Sequence, residues 1–260
     1  MPVALSIQTI ISKKSHELHR VKLLMPALCR IRQGRKIIQW RGQTETANPS
    51  QIIIFPAGYE FYIENIPEGG RYLSEIISIP SSVIRMNHRH YPPEPKKNDA
   101  LRFCSRVTRE LEYCWEQLKS AIDAELSTPL LEHLASGLIL MLREAGHGVF
   151  FHSPEGNVVS RCQNLIMLSP SFHWTARDMA AQLHMSVSGL HRKLAAEGES
   201  FQAVLNDVRL GNALYAIQTT DKPISEIAMD NGYQCASRFT ASFKKRYQIT
   251  PRALRQATNG

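Results

Sequence analysis

The spacing of apolar residues divides the chain into stretches of different period. Between Leu23 and Pro80, short β-prone runs at 36–40, 51–55, 60–64 and 71–79 alternate with turn clusters such as Ala47-Asn48-Pro49-Ser50, Pro56-Ala57-Gly58 and Pro67-Glu68-Gly69-Gly70. Branched and aromatic side chains suit a pleated surface and Gly, Pro and Asn suit reversals, so this region predicts a small all-β unit. Tyr91-Pro92-Pro93-Glu94-Pro95 then breaks regular structure, and a helical period follows over 99–124 and 129–144, closed by Gly146-His147-Gly148. The Gly- and Pro-bearing stretch 151–157 reads as a linker, and everything after it reads as helix.

That last region carries one pattern twice. In the first copy Thr175 caps a helix, Asp178 sits in its positive first turn, and Met179, Ala180 and Leu183 form the inner face. After the turn His184-Met185-Ser186, with Ser186 as the next cap, Val187, Leu190 and Leu194 fall on one side of a second helix. Ser188, His191 and Arg192 are left facing outward. The second copy opens at Asp221-Lys222-Pro223 and turns at Asp230-Asn231-Gly232-Tyr233, where Gly232 supplies the reversal. It continues through 234–247 with Phe239 and Phe243 on the core side, so Arg238, Lys244 and Lys245 project elsewhere. Thr250-Pro251 starts a further helix. Between the copies, Val204, Leu205, Val208, Leu214 and Ile217 predict a long connecting helix over 201–217 that would fix the orientation of the two units.

Charge sharpens this picture. The chain has 260 residues, a formal charge of +8, and 43% hydrophobic residues, enough for two packed domains and suited to a polyanionic partner. From Pro170 onward there are 11 Lys or Arg against 7 Asp or Glu, and from Asn231 to the end there is no acid at all. No uninterrupted apolar run approaches the ~18 to 20 residues of a membrane span and no signal pattern opens the chain, so a cytoplasmic protein is expected. Cys29, Cys104, Cys114, Cys162 and Cys235 include no CxxC pair and are expected as buried thiols rather than zinc ligands or disulfides. His88-Arg89-His90 has the look of a metal site without the further ligands one needs. His16 and His19, three apart, read as a surface pair on a helix face, so no metal and no cofactor is expected.

Two helix-turn-helix units offer two helices shaped for the major groove, and successive grooves on one face of B-DNA lie about 34 Å apart, so one protomer could read both. The acid-free tail would then lie against phosphate, where a carboxylate would repel the duplex. Ser186, Lys193, Lys244, Lys245, Arg246, Thr250, Arg252 and Arg255 are the candidate phosphate contacts, with a log-log salt slope on the order of −5 to −7. In the β unit, Trp40, Tyr59, Phe61 and Tyr62 are candidates to line an effector pocket. Leu111, Trp115, Leu118 and Ile122 form a candidate seam toward a second protomer.

The order Ile224-x-Glu226-Ile227-Ala228-x3-Asn231-Gly232-Tyr233-x3-Ser237-x-Phe239-x3-Phe243-Lys244-Lys245, then Thr250-Pro251 and Leu254-Arg255, resembles the DNA-binding domain of the AraC/XylS family of bacterial transcription regulators. Ala180-x2-Leu183-x-Met185-Ser186-x3-Leu190-x-Arg192, Glu197-Gly198-x2-Phe201 and Arg209-Leu210 add to the match, which covers about 158–256. The resemblance implies that Ser188, His191 and Arg192 in the first unit, and Ala236, Ser237, Arg238 and Ala241 in the second, face bases. His184 and Gln248 stand where the family commonly has turn glycines. It further implies an α+β chain: a small cupin-like β-barrel with dimerisation helices over 1–145, a linker over 146–157, and an all-α domain over 158–260. The implied function is an activator that binds double-stranded promoter DNA, contacts RNA polymerase, and is controlled by a small-molecule or protein signal, with a homodimer as one arrangement. The competing readings are a cupin-type enzyme with a basic nucleic-acid-binding tail, and a coating protein without sequence preference.

Overall fold

The computed structural model describes residues 5–90, 101–151 and 157–259, with the side chains of 89, 90 and 259 left out. The expected break at 91–95, the start of the first helical reading at 99, and most of the expected linker therefore lie outside the described residues. The fold is α+β, and the chain divides into two compact units, Met1–Ser153 with Ala257–Gly260, and Pro154–Gln256.

The first unit is built on two antiparallel sheets. The strands are β1 (Ile7–Ser12), β2 (His16–Lys22), β3 (Ala27–Gln33), β4 (Arg35–Trp40), β5 (Gln43–Ala47), β6 (Gln51–Phe55), β7 (Glu60–Ile66), β8 (Tyr72–Ser78) and β9 (Cys104–Arg106). One sheet runs β1-β8-β3-β6-β9 and the other β2-β7-β4-β5. Their inner faces meet to give the cupin-like core: the Phe55 ring on β6 stands edge-on to Phe61 on β7 at 5.2 Å, and Lys36 Nζ on β4 lies 5.3 Å from the ring centre of Tyr72 on β8. Trp40, Tyr59, Phe61 and Phe103 cluster in this interior, with Trp40 and Tyr59 stacked at 5.3 Å and Phe61 edge-on to Phe103 at 5.1 Å.

The four strands expected from the sequence correspond to β4, β6, β7 and β8, while β1, β2, β3, β5 and β9 were not foreseen. These strands carry polar and charged residues that blur the apolar signal, as in His16-Glu17-Leu18-His19-Arg20 of β2. His16 and His19 accordingly sit on a strand, not a helix. His16 is buried with Nε2 3.2 Å from Asn65 Nδ2, whereas His19 packs edge-on against Tyr62. Tyr62 thus faces away from Phe61, because neighbours on a strand point to opposite sides. It is removed from the effector-lining set.

Among the described residues three α-helices accompany the sheets: α1 (Ser81–His90), also unforeseen, α2 (Arg109–Asp123) and α3 (Thr128–Leu142). The helix expected from 99 starts only at Arg109, capped by Thr108, because 104–106 pair with β6 as β9. The proposed seam on α2 is turned inward. Leu111, Trp115 and Leu118 are buried, Trp115 Nε1 donates to Glu75 at 3.1 Å, and Glu75 also receives Arg32 at 2.7 Å. Three of its four members therefore fill the unit's own core; Ile122 is half-buried. Thr128–Phe151 is long and apolar enough by composition to cross a membrane, but Gly146 at φ 88 interrupts it and α3 packs on α1 and α2. Phe150 and Phe151 are buried, Phe150 against Phe103 at 5.2 Å, so this part of the expected linker belongs to the first unit's packing.

The second unit is helical: α4 (Val158–Leu168), α5 (Ala176–Gln182), α6 (Val187–Ala196), α7 (Phe201–Thr219), α8 (Ile224–Asp230), α9 (Ala236–Tyr247) and, as far as Gln256, α10 (Pro251–Asn259). The expected connecting helix is α7, two residues longer than its apolar pattern. Its buried Val204, Val208, Ala213 and Ile217 form the spine of the unit's core.

Candidate nucleic-acid interface

Each half of the second unit is a short helix, a turn and a longer helix. In the first, Thr175 and Asp178 form a full capping box on α5, and this reciprocal bonding holds the Asp178 carboxyl below its ordinary pKa. The turn into α6 passes through His184 at φ 55, a left-handed backbone carried by a residue other than glycine. Ser186 Oγ then accepts from the Gly189 N–H at 3.1 Å and caps α6. Leu190 and Leu194 are fully buried while Ser188, His191, Arg192 and Lys193 are exposed, as the helical spacing predicted, but Val187, expected on the buried side, is exposed in the first turn of α6.

The second half repeats the plan with different chemistry. Gly232 turns the chain at φ 74 between α8 and α9, and Tyr233, Phe239, Phe243 and Tyr247 pack in sequence, edge-on or tilted, with centroids 5.2, 5.6 and 4.7 Å apart. This ring column fixes α9 by its inner face and leaves Ala236, Ser237, Arg238, Ala241, Lys244 and Lys245 exposed. Cys235 stands at the cap position of α9 and, contrary to the expectation of a buried thiol, is exposed; Cys104 and Cys114 are half-buried. The Ser237 hydroxyl and the Arg238 N–H draw its pKa down. Gln248 ends α9 at φ 61 in the left-handed region, the second non-glycine in a turn where the family pattern favours glycine.

Two of the six basic side chains among the eight expected phosphate contacts are engaged internally. Arg246 pairs with Asp207 on α7 at 3.3 Å, both side chains only 11% exposed. Arg255 donates Nε to Ile217 O at 2.9 Å and Nη2 to Lys222 O at 3.1 Å, fastening α10 to the end of α7. Charge counting could not distinguish these from surface cations, since their partners lie 33 to 39 positions away in the chain. Thr250 caps α10 through Ala253 N at 3.1 Å, and Lys193, Lys244, Lys245 and Arg252 are exposed.

Further residues frame this surface without having been assigned a role from sequence. Glu197 spans the N-terminus of α4, its two oxygens accepting from Val158 N and Val159 N at 2.8 Å each, so the tail of α6 is held to α4. Arg209 on α7 donates to Pro170 O at 3.0 Å and Phe172 O at 2.8 Å. Both had been noticed as part of a residue pattern, which carries no information on such partners.

Two helix-turn-helix halves on one central helix, each with a buried inner face and an open outer one, define a DNA-binding domain by its architecture. A helix-turn-helix domain model matches residues 179–257. Over 96 residues the chain is 36% identical to the transcriptional regulator SirC of Salmonella typhimurium, covering 37% of this chain and 32% of that protein. The chain thus spans about a third of that relative's length. It is 24% identical over 213 residues to the HTH-type transcriptional activator FapR of Escherichia coli, covering 78% of this chain and 82% of the other. Among solved structures, unsaturated fatty acid bound ToxT from Vibrio cholerae shares the fold with a TM-score of 0.71 at 14% identity, over 99% of this chain and 97% of that one. Residues 179–257 thus carry a helix-turn-helix domain, joined in one polypeptide to a cupin-like β unit whose fold ToxT shares.

Proposed function

We propose that this chain is a DNA-binding transcription regulator that sets α6 and α9 into two successive major grooves of a promoter. The observation that carries this reading is the pairing, on both helices, of a fully buried inner row (Leu190 and Leu194; Phe239 and Phe243) with an exposed outer row of polar, basic and small residues. In it, Ser188, His191 and Arg192 of α6 read base edges, and Ala236, Ser237, Arg238 and Ala241 of α9 lie against the second groove. Ser186, Lys193, Lys244, Lys245, Thr250 and Arg252 hold phosphate. With Ala236 and Ala241 limited to van der Waals contact with thymine methyls, the second helix contributes grip more than discrimination.

The chain acts as an activator that helps recruit RNA polymerase in the bacterial cytoplasm, and it is a regulator rather than an enzyme; the name of the activator FapR supports this. Its β unit receives a small-molecule or protein signal, a reading supported by the fatty acid held by the structurally similar ToxT. The test is a nuclease footprint and competition assay with the full chain. We expect protection of roughly two helical turns per protomer and at least ~10³-fold preference over random duplex. Equal affinity for every sequence would replace this reading with that of a coating protein.

A further inference from the structure

We propose that Arg209 is the positioning residue that locks the register between the two reading helices, and so sets the spacing of DNA half-sites the protein accepts. The proposal rests on the two-groove reading above.

Arg209 projects from α7, the element shared by both halves. On one side its guanidinium donates Nε to Pro170 O at 3.0 Å and Nη2 to Phe172 O at 2.8 Å. These carbonyls belong to the loop between α4 and α5, just before Thr175 caps the first half. The loop is itself closed by Trp174 Nε1 donating to Ser169 O at 3.0 Å and by the Phe172 ring edge-on to Trp174 at 4.9 Å. On the other side the same guanidinium lies against the turn of the second half. A Cβ added to Gly232 would come within 2.4 Å of Arg209 Nη2, 2.6 Å of its Cζ and 2.9 Å of Pro170 O. First-half loop, central helix and second-half turn thus meet at one planar group.

The chemistry suits a fulcrum. Burial disfavours the charge and lowers the Arg209 pKa, yet a guanidinium stays protonated at any physiological pH. Its rigid fork holds two carbonyls at fixed angles, which a lysine ammonium on a flexible stem cannot reproduce. The absence of a side chain at Gly232 lets the second turn close against it. Arg255, by contrast, donates to Ile217 O and Lys222 O at the far end of α7, where it steadies the second half.

The experiment uses the full chain and duplexes selected by the wild-type protein from a random-sequence library, re-synthesised with one or two base pairs inserted or deleted between the half-sites. Each added pair turns the second groove away by about a tenth of a helical turn. Wild type should lose at least ~10-fold in affinity for each altered spacing. In Arg209→Ala and Arg209→Lys that penalty should shrink to within about threefold, with affinity for the original spacing reduced, while Arg255→Ala should keep the wild-type spacing profile. If Arg209→Ala does not fold, judged by its melting curve, Arg209→Lys carries the comparison. Loss by the same factor at every spacing in the Arg209 variants would overturn the proposal and leave Arg209 a stabilising residue only. A wild-type protein that selects no two-part site would instead overturn the two-groove reading itself, and this proposal with it.

Discussion

Gly232 is held to glycine twice over, by a φ of 74 in the left-handed region and by the guanidinium of another helix, with which a side chain there would collide. Gly232→Ala should therefore destabilise the second unit by about 1 to 3 kcal/mol, read as a shift in urea midpoint. As one of two histidines three apart, His16 looked like part of a surface pair, but burial lowers its pKa to about 4 from 6.5. The unfolded chain binds this proton more readily than the folded one. The stability contributed by neutral His16 is then fully present above about pH 6.5 and lost as pH falls toward 4, by on the order of 3 kcal/mol. Denaturant titrations across that window should be flatter in His16→Gln. An unchanged slope would mean that the imidazole titrates normally. Sequence alone could not give this, because the group that seals His16 in, Asn65, lies 49 positions away.

At the scale of elements, helices with a clean apolar stripe were legible and strands with mixed faces were not. α6 and α9 were foreseen from Leu190, Leu194, Phe239 and Phe243, and all four are fully buried. The α2 stripe was equally visible, but periodicity reports that a face is covered and not what covers it; here it is the sheet bearing Glu75 and Arg32. The two reading helices should respond differently to truncation. Arg192→Ala, on the exposed face of α6, should cost about 1 to 3 kcal/mol in binding and change base preference in one half of the site. Lys245→Ala should weaken binding to all sequences alike and flatten the log-log salt slope by about one unit, measured by filter binding across salt concentrations. A changed base preference in the lysine variant would place its side chain in the groove rather than on phosphate.

For the whole molecule, what was legible was the division into a β-rich first unit and a helical second one, and the basic bias of the end of the chain. What was not legible was which of those cations remain available. With Arg246 and Arg255 committed to α7, four of the eight expected phosphate contacts (Lys193, Lys244, Lys245 and Arg252) remain as exposed basic side chains, so the log-log salt slope should be about −4, shallower than the range expected from the sequence. The Arg246 and Asp207 pair has a consequence of its own. Mobile ions weaken contacts they can reach, and these two side chains are each only 11% open to solvent. Brine concentrated enough to strip the duplex away should leave α9 still fastened to α7, so that dilution restores a working protein at once, without any refolding delay.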